Sequence, residues 1–209
     1  MEKILVTGAG GFIGGHLSKF LKEKGYWVRG VDIRPHRWMK KEEFCDEFLL
    51  LDLRRWDNVV ESVKDIDMIY NLAANMGGIG FITAVGAEVM HDNVLINTHM
   101  LEACVRNKVK RFLFSSSACV YANYKQTNSD VPGLKEEDAY PADPNEAYGW
   151  EKLFTEQLCQ AYRSERFVTK VVRFHNVYGP NGAWTGGREK APAAMCRKVA
   201  MALNEGGET

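Results

Sequence analysis

Residues whose types and spacing could do chemistry gather at three places in the chain. Gly8-Ala9-Gly10-Gly11-Phe12-Ile13-Gly14 directly follows an apolar run and opens an amphipathic stretch. Glycines at 8, 11 and 14 let the backbone turn tightly and come close to a pyrophosphate, which then rests on a helix N-terminus. Asp32 closes the next apolar run, about 20 residues on, where a carboxylate holds the diol of an adenosine ribose. That carboxylate repels a 2′-phosphate, so NAD is favoured over NADP; Arg34 is the feature pointing the other way. Asp52, in Leu50-Leu51-Asp52-Leu53, is placed to meet the adenine amino group.

The second place is Tyr148-Gly149-Trp150-Glu151-Lys152. Tyr148 and Lys152 stand at i and i+4 and share one face of a helix. A cation beside a phenol favours phenolate, and a tyrosine pKa of about 10 has to fall for proton transfer near neutrality. The third is Ser115-Ser116-Ser117-Ala118-Cys119-Val120-Tyr121, just past Phe112-Leu113-Phe114. The carboxyl end of a strand is where open α/β sheets put ligands. A cysteine there is either a small core hydrophobe or a working thiol.

The elements that must position these groups alternate along the chain. Short apolar runs at Lys3–Thr7, Trp27–Asp32, Glu47–Leu51, Met68–Asn71, Arg111–Ser115 and Lys170–Arg173 read as strands. Helical spacing appears in Ile13–Lys24, Asn97–Arg106 and Tyr148–Ser164. The expected fold is α/β, a doubly wound parallel sheet of the Rossmann type with helices on both faces. Asn123–Asn145, rich in Pro, Asp, Asn and Glu, is expected to be an exposed loop. After Arg173 the chain turns glycine-rich and then helical. Residues 1–175 are therefore expected to be a cofactor domain, and residues 176–209 the start of a substrate-binding domain whose remainder is missing from the 209-residue chain.

Composition narrows the classes of partner. Lys+Arg and Asp+Glu are both 27, so the formal net charge is zero. That balance argues against nucleic acid or a membrane surface as a partner, because both call for a basic excess. The five cysteines are odd in number and form no CxxC pair, and the histidines form no HExxH, so no disulfide framework or metal site is expected. Met1-Glu2-Lys3 leads straight into the first strand, and no apolar run approaches the roughly 20 residues of a spanning helix. The expected home is a reducing cytoplasm.

Taken together, the glycine loop, Asp32, Asn71-Leu72-Ala73-Ala74, Ser117, Tyr148-x-x-x-Lys152 and Arg173–Pro180 resemble the extended short-chain dehydrogenase/reductases. The resemblance covers essentially the whole chain. Within that superfamily Asn71–Phe81, Ser116–Tyr121, Asp138–Lys152 and Gly186–Ala194 resemble the GDP-mannose 3,5-epimerases, with Asn75 standing where Asp is expected. The resemblance implies that NAD oxidises C4 of a nucleotide-bound hexose, GDP-mannose. Tyr148 takes the hydroxyl proton and Ser117 bonds the same oxygen. Cys119 and Lys190 then exchange protons at the acidified C3 and C5. Related 4-epimerases typically carry threonine at the position of Cys119. The resemblance further implies cofactor contacts from Gly8, Gly11, Phe12, Ile13 and Gly14, from Asp32, Asp52 and Leu53, and from Leu72, Ala73, Ala74, Asn93, Tyr148 and Lys152. Substrate contacts fall to Gly77, Asn176, Glu189, Lys190 and Lys198, and the helices holding Asn93 and Tyr148 are expected to build a homodimer. Two rivals stand beside this reading. A GDP-fucose synthase-like enzyme uses NADPH and a histidine acid, where this chain has Asp32 and Lys190. A non-catalytic NAD-binding regulator has no use for Ser117, Tyr148 and Lys152.

Overall fold

A computed structural model describes residues 1–127, 130 and 133–204. Strands β1 (Lys3–Thr7), β2 (Trp27–Asp32), β3 (Glu47–Leu50), β4 (Met68–Asn71), β5 (Arg111–Ser117) and β6 (Val168–Phe174) form one sheet in the order β3-β2-β1-β4-β5-β6. Every neighbouring pair is parallel. Helices α1 (Phe12–Glu23), α2 (Lys41–Phe44), α3 (Trp56–Ser62), α4 (Ile79–Ala84), α5 (Gly86–Arg106), α6 (Glu146–Tyr162) and α7 (Ala191–Asn204) make the connections. The order reverses direction between β1 and β4, which opens a crevice at the strands' carboxyl ends. Among the described residues no helix is long and apolar enough to cross a membrane.

Alternation along the central strands feeds both faces of the sheet. Ile4 and Val6 pack with Val28, Leu21 and Phe44 beneath α1 and α2. Leu5 points the other way and joins Ile69, Phe112, Met100 and Cys159 under α5 and α6. Each such side chain, once buried, stabilises the fold by about 1.5–3 kcal/mol before the entropy of ordering is subtracted.

All six expected strands are present. β5 runs on to Ser117 and β6 is longer at both ends, while β3 stops at Leu50. The larger differences are in the helices. α5 starts at Gly86 rather than Asn97, because its inner face carries the buried polar residues Asp92, Asn93 and Asn97, which break the apolar period. The short helices α2, α3 and α4 carry too few turns to show a period. Within the expected 123–145 loop the structure has two 3₁₀ turns, Asn123–Lys125 and Glu136–Ala139, tied by a Lys125–Asp138 ion pair. Residues 128, 129, 131 and 132 of that loop lie outside the described ones.

Candidate active site

The glycine loop leaves β1 and enters α1 at the crevice. Gly8 adopts φ +70°, and a side chain there would press on the Leu72–Ala73 backbone. A Cβ on Gly14 would run into the Gly8 carbonyl. The N-terminus of α1, where Phe12 and Ile13 begin the helix, carries no side-chain cap and no acid in its first turn. Its free N–H groups are open to a diphosphate without competition. Asp32 sits beside the loop, its carboxylate accepting from Gly10 N–H at 3.0 Å and Arg34 N–H at 3.2 Å. Burial pushes its carboxyl up, against the pull of those amides and the Arg34 charge. Gly10, which the 8-11-14 spacing passes over, is thus the residue that aims Asp32. The cradle fits NAD.

Farther round, Asp52 is held through both oxygens by Arg54, which also bonds Asp92 at 3.1 Å. Arg54 holds the Asp52 carboxyl below its ordinary range, chiefly by that hydrogen bond. Leu53 is a core residue. Leu72 and Ala73 both donate their N–H groups to Thr7 Oγ1 at 3.0 Å. Thr7 begins a buried row of hydrogen bonds: it donates to Asn71 Oδ1 (2.9 Å), Asn71 to Asn97 Oδ1 (2.8 Å), Asn97 to Thr155 Oγ1 (3.2 Å), and Thr155 to the Glu151 carbonyl (2.9 Å). This row joins the glycine-loop strand to α6, and none of its members was singled out from sequence for a role of its own.

Asn93 is fully buried. Its oxygen accepts from Asn75 N–H at 2.6 Å, and its amide donates to the Asn75 carbonyl at 3.1 Å and to Glu151 Oε1 at 2.8 Å. It braces the segment after β4 against α6. Asn75 Nδ2 in turn donates to Asp92 Oδ2 at 3.3 Å. An aspartate at position 75 would set two carboxylates against each other, which accounts for the asparagine found there.

On the far side of the crevice, Ser117 ends β5. Its hydroxyl accepts the Cys119 N–H at 3.2 Å, capping the 3₁₀ turn Ala118–Val120, and lies near the Tyr148 phenol. Gly149 lets α6 seat directly on the Cys119 carbonyl, where a larger residue would collide with backbone. Tyr148, Ile82 and Val89 form a buried cluster against which Cys119, Met76 and Phe81 pack. Lys152 is almost wholly buried; its ammonium donates to the Ser115 carbonyl at 3.1 Å and lies 5.5 Å from the centre of the Tyr148 ring.

The Tyr148 pKa does not fall as expected. Burial of the phenol, the largest influence, raises it, and the Lys152 charge lowers it only in part.

The segment after β6 folds back over both halves of the site. His16 Nε2 bonds the Pro180 carbonyl at 2.9 Å. Arg188 donates to the Met76 carbonyl at 3.3 Å with its guanidinium 4.0 Å from the Phe81 ring centre, and Lys190 reaches the Gly77 carbonyl at 3.4 Å. Lys190 and Arg188 thus hold the Met76–Phe81 turn, whose Met76 and Phe81 pack on the same cluster as Cys119. Glu189 pairs with Arg197 at 3.6 Å, while Asn176 and Lys198 are exposed.

This assembly has known counterparts. The chain is 49% identical over 198 residues to GDP-mannose 3,5-epimerase 1 of Oryza sativa subsp. indica, covering 94% of this chain and 52% of that one. It is 48% identical to GDP-mannose 3,5-epimerase of Arabidopsis thaliana, with the same coverage. The chain thus spans about half the length of these relatives. Among solved structures, the UDP-glucose 4-epimerase of Thermotoga maritima with UDP-glucose matches at TM-score 0.78 and 25% identity, over 99% of this chain and 64% of that one. MoeE5 in complex with UDP-glucose and NAD matches at TM-score 0.70 and 32% identity, over 87% and 56%. Residues 4–208 match the family described as the NAD dependent epimerase/dehydratase family. With its sheet order, glycine cradle and Ser117–Tyr148–Lys152 cluster, the chain belongs to that family.

Proposed function

We propose that this chain is the NAD-binding, catalytic part of a nucleotide-sugar epimerase that inverts C3 and C5 of GDP-mannose. The observation that carries the reading is the packing of Cys119 against the cluster that holds Tyr148, with Lys190 reaching the Gly77 carbonyl nearby in the Met76–Phe81 turn. It sets a group for proton transfer at one oxygen beside a thiol for a neighbouring carbon. NAD, held by the glycine loop and Asp32, supplies a reversible hydride acceptor for C4. Tyr148, oriented by Ser117, takes the C4 hydroxyl proton as that carbon is oxidised. The ketone acidifies the hydrogens on C3 and C5. Cys119 on one side and Lys190 on the other remove a proton and supply one to the opposite face. Tyr148 then returns its proton to the C4 oxygen as hydride comes back, so the cofactor is not consumed.

Residues from 176 onward begin the substrate-binding part, with Gly77, Asn176, Glu189 and Lys198 on the sugar-nucleotide side. The exposed Met195, Val199 and Leu203 of α7 support this, as a face made to be covered. Self-association through α5 and α6 belongs to the same reading, supported by the exposed Trp150 and Phe154 on α6. The five free thiols suit a reducing cytoplasm.

The test is solvent deuterium incorporation into GDP-mannose, followed by NMR with the full-length protein. Wild type should exchange at C3 and C5. Cys119→Ser should still form bound NADH yet lose exchange by about 10²–10⁴-fold, the range of general acid–base assistance. Undiminished exchange in Cys119→Ser would make the thiol a packing residue, and no exchange in wild type would sink the epimerase reading.

A further inference from the structure

Glu151 has no task in the reaction just described, yet its side chain is completely buried beside Lys152. Oε1 accepts from Asn93 at 2.8 Å and lies 3.8 Å from the Lys152 ammonium. Oε2 is buried without a hydrogen-bond partner among the described residues. For stability alone, an apolar side chain of similar size serves as well or better at such a position.

The neighbours of Lys152 define what Glu151 does. The ammonium has the Ser115 carbonyl, the Phe114 and Tyr148 rings and, among the described residues, a single carboxyl within ion-pair distance, that of Glu151. On α6 the Lys152 charge also reaches the buried Cys159 thiol, and on α5 the neutral Asn93 bonds Glu151 while Asp92 is engaged by Arg54, His91 and Asn75. From the end of β5, Ser117 and Cys119 face the phenol. The charges of Glu151 and Lys152 therefore act on the Tyr148 phenol in opposite senses.

We propose that Glu151 is a positioning residue whose carboxylate offsets the Lys152 charge at Tyr148, so that one phenol can both take the C4 proton and give it back. This rests on the epimerase reading, in which both transfers occur in every turnover. An ammonium with no counter-charge in a dry pocket would hold the tyrosine as phenolate, a ready base but a poor acid. Burial pushes the Glu151 carboxyl up. The Lys152 charge and the Asn93 amide pull it back toward the ionised form, and burial raises the Tyr148 phenol as well.

The experiment needs no substrate. In the chain labelled with [ζ-¹³C]tyrosine, Tyr148 is assigned by loss of its signal in Tyr148→Phe and titrated in wild type and Glu151→Gln. Glutamine keeps the oxygen that Asn93 bonds. We expect the Tyr148 midpoint to fall by about half a pH unit or more, and Glu151→Asp, which keeps the charge, to stay nearer wild type. An unmoved midpoint in Glu151→Gln, or an equal fall in Glu151→Asp, overturns the proposal. Should Glu151→Gln not fold, the [δ-¹³C] signal of Glu151 is followed in Lys152→Met instead. Its midpoint must rise, and no movement is equally fatal. Absence of C3 and C5 exchange in the full-length enzyme would remove the epimerase reading while leaving this electrostatic coupling intact, so the two failures are distinguishable.

Discussion

Asp32 shows how much one side chain decides. Two backbone amides, Gly10 and Arg34, fix its carboxylate at the edge of the glycine cradle. A 2′-phosphate would meet that charge directly, so calorimetry should find NAD⁺ bound more tightly than NADP⁺, with Asp32→Ala narrowing the gap. Tighter NADP⁺ binding by wild type would be the contrary result. Because burial raises the Asp32 pKa, the carboxylate gains its proton at a higher pH than an ordinary aspartate on acidification. Acceptance from a ribose diol needs the ionised form. NAD⁺ affinity should therefore weaken on acidification while most exposed aspartates are still charged, and Asp32→Asn should abolish that dependence.

At the scale of the element, α6 carries Tyr148, Glu151 and Lys152 into the crevice, and its seat depends on Gly149. Helix propensity alone favours alanine over glycine by about 1 kcal/mol. Here the added methyl would run into the Cys119 carbonyl, a backbone atom that cannot turn aside. Overpacking of that kind costs about 1–3 kcal/mol, so Gly149→Ala should lower the urea midpoint despite the better helix former. A raised midpoint would mean that the 3₁₀ turn at Cys119 yields easily. The strands were legible in sequence as short apolar runs, and α1 and α6 by their helical spacing. The first half of α5 was not, since its inner face holds the polar groups that bind Asn75 and Glu151. The same limit hid Thr7, Gly10 and Asn97 as working parts of the site. Their task is to satisfy partners far away in the chain, and no local spacing records that.

Across the whole molecule, charge is arranged in pairs that acid must break. Hydrogen bonds from Arg54, Lys110 and Lys125 hold Asp52, Asp67 and Asp138 below their ordinary pKa, and Tyr162 with Arg106 does the same for Glu102. A carboxyl lowered by folding adds stability above its unfolded pKa, and that contribution is lost as pH falls through the folded value. Asp32 and Glu151, raised by burial, act in the opposite sense: their contribution is largest in acid and fades as pH rises. The thermal midpoint should consequently drop as pH is taken below about 4, where ordinary carboxylates protonate, and Asp67→Asn should flatten the drop. A midpoint that rises there would mean the two buried acids dominate. The row of hydrogen bonds from Thr7 through Asn71, Asn97 and Thr155 to α6 is oriented head to tail, every donor lying on the glycine-loop side of its acceptor. Turning Asn71 over would set its oxygen against that of Asn97, turning Asn97 over would set its N–H against that of Asn71, and all four side chains are buried. The side-chain amide protons of Asn71 and Asn97 can reach water only when β4, α5 and α6 come apart together. Their exchange with solvent is thus a gauge of global opening, read from side chains rather than from the backbone.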